Sequence, residues 1–258
     1  MRALVLGLLG LASTHALAQT TSEADPITTV RPRLTDTTRI VPTGALQLET
    51  GIDRGFDGYH DGRRDTFGEI LLRYGVTPRL ELRLGLPSYT NWRVINLFDG
   101  FGDLSVSASY LLGRLGPAYF TVSPRLTLPT GPRYPHVDDP APSAFVTGEA
   151  PLGKGFSVAS TVGYSHVKYD YPFLTDRVRF DALQATFALE RALRGNRASV
   201  FAEYSGSYIN GFLPSQVVNV GGRLRLSHDS QVDLRLTFPF ADDGNRQSAF
   251  GFGYAVRF

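Results

Sequence analysis

The 258-residue sequence contains no cysteine. Without thiols the chain has neither disulfide bonds nor cysteine-ligated metals, so its stability has to come from packing or from the closure of a sheet. An excess of one charge is missing as well, because 26 lysines and arginines face 24 aspartates and glutamates without a basic run. Proteins that bind nucleic acid carry clustered positive charge, and this sequence has no such cluster. Nucleic acid is therefore not expected as a partner.

Long apolar runs are absent beyond the first 18 residues, and the mean hydropathy of −0.09 is too low for a helical membrane protein. Residues 1–18 have the three parts of a secretory signal peptide: Arg2, an apolar stretch from Ala3 to Ala12, and a small-x-small site at 16–18. The apolar stretch is shorter than the roughly 20 residues that a spanning helix requires. If the protein lies in a membrane, strands must therefore span it.

Alternation of large apolar residues with small or charged ones is abundant, and it is clearest at the C-terminus. Between Ser248 and Phe258, every second residue is large and apolar. This period of two predicts a strand with one apolar face. A terminal aromatic on such a strand resembles the assembly signal of bacterial outer-membrane barrels, so Phe258 is predicted to serve membrane assembly.

The same alternation predicts about twelve strands, at 44–54, 65–76, 79–89, 102–113, 117–129, 142–151, 154–168, 178–190, 197–208, 216–226, 230–240 and 247–258. Their connections are alternately short and long, as in outer-membrane barrels with tight periplasmic turns and larger outside loops. We therefore expect an all-β protein, a transmembrane antiparallel barrel over 44–258 in the bacterial outer membrane. Residues 19–43 have no steady period and are interpreted as an extended periplasmic segment that enters the barrel.

A soluble β-sandwich is the alternative explanation for this pattern and for the 17 phenylalanines and 12 tyrosines. About twelve amphipathic strands in a soluble sheet would leave long edges, whereas a barrel has none. Several aromatic residues also fall near predicted strand ends, where rings favour the membrane interface. The barrel is therefore the preferred interpretation.

Charged residues of both signs occupy the face opposite the apolar one. The predicted lumen-lining residues are Glu49, Glu69, Arg73, Glu81, Arg83, Asp103, Arg125, Glu203, Arg223, Arg225, Asp233, Arg235 and Arg257, with Asp53, Glu149 and Glu190 on the same face. Charges confined in a barrel wall are normally paired, which favours a structural lattice of salt bridges. A constricted lumen that selects solutes or holds a gate is the functional interpretation, and the two are compatible.

Catalytic and metal-binding patterns are weak. A lipid hydrolase with a Ser-His-Asn arrangement is the enzyme class to test, but Ser165 and His166 are adjacent on a strand and point to opposite faces. His136, with the acidic residues at 138–139, is a metal-ligand candidate in a proline-rich loop that is more simply explained as solvated. No catalytic residue, cofactor or metal site is predicted.

Short motifs recur along the chain: Arg31-Pro32, the stretch from Thr37 to Gly44, the strand from Leu46 to Gly51, 101–104, 128–131 and 201–204. Together they resemble the outer-membrane β-barrel family labelled transporters of the meta-pathway of phenol degradation. The resemblance implies a barrel that takes up small, often aromatic or hydrophobic compounds, and it brings no binding residues with it.

The leading hypothesis is a channel that passes a small solute through a narrow charged lumen, gated by the N-terminal segment or an infolded loop. An outer-membrane lipid hydrolase and a plugged structural or surface-binding barrel are the alternatives. Expected partners are the solute, outer-membrane lipid and the barrel-assembly machinery. The oligomeric state is left open.

Overall fold

The computed structural model describes residues 25–57, 62–93, 99–131, 137–169, 178–193, 195, 197–210, 214–240 and 247–258. The predicted signal peptide, 1–18, lies outside these ranges, as does the metal-ligand candidate His136. No helix in the described ranges has the length and hydropathy to cross a membrane.

The described chain folds into strands that follow one another in sequence. They are β1 (Leu46–Asp57), β2 (Gly62–Thr77), β3 (Leu80–Gly85), β4 (Tyr89–Trp92), β5 (Gly100–Phe101), β6 (Leu104–Leu115), β7 (Ala118–Leu128), β8 (Ala141–Gly153), β9 (Phe156–Tyr169), β10 (Val178–Leu193), β11 (Ala198–Ile209), β12 (Ser215–Arg225), β13 (Ser230–Pro239) and β14 (Gln247–Arg257). Each pairs antiparallel with its neighbours in one sheet.

The sheet closes on itself, because β1 pairs with both β2 and β14. β3 and β4 both pair with β2, so together they form one interrupted barrel strand. On their other side β4 pairs with β5 and β3 pairs with β6, so β5 and β6 form the next interrupted strand. The fourteen segments therefore make twelve barrel strands, as the sequence predicted. Pro87, between β3 and β4, has no N–H to give to the ladder, which accounts for one interruption.

The two faces of the ring differ in chemistry as the alternation predicted. Ile52, Leu234 and Phe252 point outward and are each about half exposed, at 47%, 49% and 48%. The residues between them, such as Asp53 and Asp233, point inward and are buried. Exposed aliphatic and aromatic side chains on the outer face are suited to contact with lipid, because lipid hydrocarbon neither donates nor accepts hydrogen bonds.

Tight turns lie at one end of the ring and longer connections at the other. The turn between β8 and β9 is made by Gly153, Lys154 and Gly155, all with positive φ (85°, 51° and 78°), which glycine adopts without steric cost. The beginning of β1, near Leu46, and the end of β14, near Arg257, both lie at this tight-turn end. We refer to it as the periplasmic end, after the arrangement of outer-membrane barrels.

The space inside the ring holds residues 25–43, which precede β1. Thr29, Thr35, Thr37 and Thr38 are at most 1% exposed, and each belongs to the stretch that the sequence predicted to be extended and to enter the barrel. Its described part runs through the lumen before Gly44 turns the chain into β1. The buried interior of this protein is therefore largely polar.

Candidate functional site

Residues 25–43, which we call the lumen segment, are held by inward-facing side chains from around the ring. Glu203 of β11 accepts hydrogen bonds from the backbone N–H groups of Leu34 (2.9 Å) and Thr35 (2.6 Å). Asn219 on the next strand donates to the same carboxylate at 2.8 Å. A segment without secondary structure thus has its backbone amides satisfied by the wall.

A buried ion cluster anchors the segment on the other side of the ring. Arg73 of β2 is fully buried and donates to Glu49 at 3.0 Å and to Glu81 at 3.0 and 2.9 Å. The Glu49 carboxylate also accepts from the N–H groups of Val30 and Arg31 at 3.1–3.2 Å. Because one guanidinium lies between two carboxylates that have further donors, the desolvation of these charges is compensated.

The guanidinium of Arg73 reaches the lumen segment directly as well. It donates to the carbonyl oxygens of Thr28 (3.0 Å) and Arg39 (2.8 Å), and Glu81 accepts from the N–H of Val41 at 2.8 Å. Two stretches of the segment, one before and one after its middle, are thereby tied to one side chain. Arg73 is the central contact between wall and segment.

Asp36 gives the segment its own charged contact with the wall. Its carboxylate accepts from Arg83 of β3 at 2.7 Å, and its backbone N–H donates to the Thr161 hydroxyl at 3.0 Å. Arg83 also donates to Glu81 at 2.5 Å, which links this contact to the Arg73 cluster. Contacts from strands on different sides of the ring therefore converge on one short stretch.

Towards the periplasmic end, two arginines share one carboxylate. Arg33 of the segment lies 3.2 Å from Glu190 of β10, and Arg223 of β12 donates to the same group at 2.7 and 2.8 Å. Arg223 further donates to the carbonyl oxygen of Arg31 at 3.0 Å. The segment is thus cross-linked to β12 through both a side chain and a backbone carbonyl.

Contacts with the last strands complete the attachment. Arg235 of β13 donates to Asp53 (2.8 Å) and to the Pro32 carbonyl (3.1 Å), and Arg257 of β14 donates to the Asp25 carbonyl (2.9 Å). The side chain of Arg31 forms an ion pair with Glu69.

Two stretches of backbone approach each other closely where the lumen segment ends and the chain joins the wall as β1. Thr43 bridges to Gly75 of β2, and the Gly44 N–H donates to the Gly75 carbonyl at 2.8 Å. A Cβ at Gly75 would overlap the carbonyl oxygens of Val41 and Pro42. Glycine is required here because the neighbouring atoms are backbone and have no rotamer to change.

The lumen segment divides the lumen into an inner and an outer part. The inner cavity, of about 630 Å³, is lined by Thr29, Arg33, Thr38 and residues of the tight turns. Two outer cavities, of about 370 and 380 Å³, lie towards the long connections, and the second has Leu34 and Asp36 of the segment in its wall. Opposite sides of one chain segment therefore face the two parts.

All the predicted lumen-lining residues lie on the inward side of the ring, but their partners differ. Most of them form a hydrogen bond or an ion pair with the lumen segment: Glu49, Glu69, Arg73, Glu81, Arg83, Glu203, Arg223, Arg235 and Arg257. Asp233 lies 3.7 Å from Arg31. Arg225 lines the inner cavity, Asp103 lines the first outer cavity, and Arg125 lines both outer cavities.

Sequence reasoning did not single out Thr35, Asp36 or Phe145, which turn out to line or hold the lumen. Thr35 and Asp36 lie in a segment without periodicity, so no pattern indicated which side chains would be buried. Phe145 is inward-facing on β8 although it is large and aromatic. Charges of both signs occur in similar number on the inward face, so counting them gives no signal for these residues either.

Ser165 and His166 lie as the strand periodicity predicted, on opposite faces. Ser165 is buried in the lumen wall, whereas His166 is outside, where its Nδ1 lies 2.8 Å from Asp181. Within the described ranges, no three His, Asp or Glu side chains are grouped as metal ligands. Phe258 is 72% exposed at the periplasmic rim, and its role in assembly stays a prediction.

Comparison with known proteins agrees with this architecture. A family model described as "Putative MetA-pathway of phenol degradation" matches residues 29–258. A search of the curated proteins finds no match for the chain. The fold is similar to that of the COG4313 outer membrane channel from Pseudomonas putida F1, with a TM-score of 0.63 at 17% identity over 86% of this chain and 98% of that one.

Two porins have the same fold at lower similarity. NanC porin matches with a TM-score of 0.57 at 8% identity, covering 80% of this chain and 98% of that one. KdgM porin matches with a TM-score of 0.54 at 13% identity, covering 81% and 99%. The barrel is therefore of the type found in the bacterial outer membrane, and that is its location.

Proposed function

The chain belongs to the family described as "Putative MetA-pathway of phenol degradation", and from this premise we propose that it is an outer-membrane channel for small solutes, with the lumen segment as its gate. One observation carries the proposal. Inside the closed ring, the lumen segment lies between the two outer cavities and the inner cavity. A displacement of this segment would join them into one passage.

The contacts that hold the segment support its role as a movable element. They are mainly hydrogen bonds and ion pairs, such as those of Glu203 with Leu34 and Thr35. Water replaces such contacts at a limited net cost, of about 1.5–3 kcal/mol for a hydrogen bond to a charged group. Removing a well-packed apolar plug would cost more, because its surface would have to be hydrated.

The size of the ring supports a small solute. Twelve strands enclose a space wider than that of an eight-stranded barrel, which side chains fill, and narrower than the aqueous channel of 16-stranded porins. The family's description refers to phenol degradation, and the COG4313 protein, whose solved structure has a similar fold, is called an outer membrane channel. The family's description supports a small, aromatic or hydrophobic compound as the solute of this chain, and the name of the solved structure supports a channel.

A disulfide between segment and wall tests the gate. The hydroxyl oxygens of Thr35 and Thr186 are 2.8 Å apart, and the sequence has no native cysteine to interfere. We expect the double variant Thr35→Cys/Thr186→Cys to conduct little in planar bilayers when oxidised and to recover conductance after reduction. Thr186→Cys alone is the matched control, and it should not respond to reductant.

A deletion of residues 25–41 completes the experiment. We expect this variant to conduct more than the full chain, because the partition between the cavities is gone. Absence of conductance and of solute uptake in liposomes from every variant would refute the channel. Equal conductance of the oxidised and reduced double variant would refute the gate.

A plugged structural barrel is the second candidate, since the lumen is occupied by the segment over 25–43. It predicts that the double-cysteine variant stays closed after reduction as well, while the deletion variant conducts. The same measurements therefore separate the two functions.

A further inference from the structure

The two outer cavities share one group of lining residues: Arg125, Phe145, Gln184 and Ser207. Their volumes of about 370 and 380 Å³ are within the range of about 300–1,000 Å³ that is usual for small-molecule sites. The shared residues come from β7, β8, β10 and β11, so the group lies where both cavities meet. A solute that enters from the outside reaches this group before the lumen segment.

Arg125 differs from the arginines that hold the lumen segment. Arg73, Arg83 and Arg223 each donate to at least one carboxylate within 3.0 Å. In the described part of the chain Arg125 forms no ion pair, and its guanidinium carbon lies 4.9 Å from the centre of the Phe145 ring. The guanidinium is thus positioned on an aromatic face, with its N–H donors available at the edges.

Two acidic residues of the described ranges line the outer cavities, and both have other donors. Asp36 accepts from Arg83 at 2.7 Å and from the Thr37 N–H at 2.7 Å. The two oxygens of Asp103 accept from backbone N–H groups at 130, 131 and 137, at 2.6–3.0 Å. Neither carboxylate is hydrogen-bonded to Arg125, whose positive charge has no contact anion among the residues that the structure describes.

Phe145 is held flat against the wall by its cross-strand partner. It pairs with Gly163 of β9, and a Cβ at that position would overlap the Phe145 ring. The absence of a side chain at 163 therefore leaves the space in which the ring lies, with Arg125 on its other face. This arrangement places a cation and an aromatic surface side by side at a defined position.

The remaining wall is apolar with a few hydroxyl groups. Val137, Ala141 and Phe180 are at most 5% exposed and line the first outer cavity with Val167, while Ser143 and Ser165 supply hydroxyls. Such a wall suits an apolar body with one polar end. The charge at that end has to be negative, because the ionised donor that faces it is a guanidinium.

We propose that the outer cavities bind a small organic monocarboxylate with an apolar or aromatic body. Arg125 donates to the carboxylate, and Phe145 with the apolar wall contacts the body. The inference rests on the proposed channel function and names the substrate class of that passage. Arg125 is then the residue that distinguishes an acid from a neutral compound of the same shape.

Binding of benzoate to the refolded full chain tests this assignment, with benzyl alcohol as the neutral compound of similar shape. Saturation-transfer NMR or calorimetry measures both ligands without requiring conductance. We expect benzoate to bind and benzyl alcohol to bind about tenfold more weakly, since a charge-assisted contact is lost. Equal binding of the two compounds would overturn the proposal.

Variants locate the site. Arg125→Gln keeps hydrogen-bonding capacity without the charge, and it should weaken benzoate by about tenfold while leaving benzyl alcohol unchanged. Gly163→Ala displaces the Phe145 ring and should weaken both ligands. Arg114→Gln, on the exposed end of β6, is the charge-matched control and should change neither.

Folding of each variant is checked by its electrophoretic mobility before and after heating, which separates closed from unfolded barrels. Undiminished benzoate binding by folded Arg125→Gln overturns the proposal. Conductance is measured on the same samples. A barrel that conducts but does not prefer benzoate refutes the binding site and retains the channel, whereas a barrel that binds benzoate without conducting refutes the channel alone.

Discussion

The inner and outer halves of the lumen are built from the same strands and have opposite characters. In the inner half, arginines such as Arg73 and Arg223 are committed to carboxylates and to backbone carbonyls of the lumen segment. In the outer half, Arg125 faces open cavities without an ion pair in the described ranges. The comparison shows that charge in this lumen has two uses, one to fix a chain segment and one to meet a solute.

The largest effect is expected from removing the central cation of the inner half. Arg73→Met leaves Glu49 and Glu81 buried without their shared partner and removes two contacts to the segment. Loss of one member of a buried ion cluster costs about 3–5 kcal/mol. We expect a decrease of that size in the free energy of unfolding, measured by urea denaturation in lipid vesicles.

Arg114→Met is the matched control, because it removes an arginine from an exposed position. Its effect should stay within about 0.5 kcal/mol. If Arg73→Met unfolds at the same urea concentration as this control, the inner half is not stabilised by the ion cluster, and the contrast between the halves disappears.

A smaller effect is expected at the carboxylates that hold the segment's backbone. Glu203→Gln weakens three hydrogen bonds at 2.6–2.9 Å in a nearly fully buried place, whereas Glu149→Gln weakens two longer ones to Thr38, at 3.2 and 3.4 Å. We expect a loss of about 1–3 kcal/mol for the first and less than about 1 kcal/mol for the second. Urea denaturation ranks them, and the reverse order would contradict the assignment of Glu203 as the tighter anchor.

The smallest effect is expected in the turn between β12 and β13. Partial burial raises the pKa of Asp229, but the hydrogen bonds and charges of Arg257 and His228 together outweigh it, and the pKa is lowered from its ordinary value. A lowered pKa adds stability above the unfolded value near about 3.9, which is lost as the pH falls through the folded pKa. Asp229 is about half exposed, so the contribution is at most about 1 kcal/mol.

Asp229→Asn should therefore lower the unfolding midpoint slightly at pH 7 and have no effect at pH 2, where the wild-type carboxyl is protonated. The test is the difference between wild type and variant at the two pH values, since other acids titrate equally in both. A difference that persists undiminished at pH 2 would show that the charge of Asp229 is not its cause.

The ring could be predicted from the sequence because each strand carries its own information. In β14, alternation alone places Phe252 outside and Gly253 inside, and the pairing with β1 follows from the closure of an even number of strands. The interruption between β3 and β4 was not predicted, although Pro87 indicates it. A proline at one position is compatible with a continuous edge strand, so the local pattern did not decide the matter.

The path of the lumen segment could not be predicted in the same way. Its contacts join residues far apart in sequence, as Leu34 and Glu203 are, separated by 169 positions. Such contacts depend on which strands face each other across the ring, and periodicity within one strand does not contain that information. Alternation alone placed the charges on one face of each strand, while their division between segment and solute depends on the three-dimensional arrangement.

The covalent connection of the lumen segment to β1 has a consequence for its strength of binding. Between Asp25 and Thr43 the chain can extend to about 60 Å, at about 3.3 Å per residue, and it remains attached through Gly44. A released segment is therefore a tethered ligand whose local concentration is in the millimolar range. Rebinding is intramolecular, so weak individual contacts suffice to keep the closed state populated, and small changes in any of them shift the balance between closed and open.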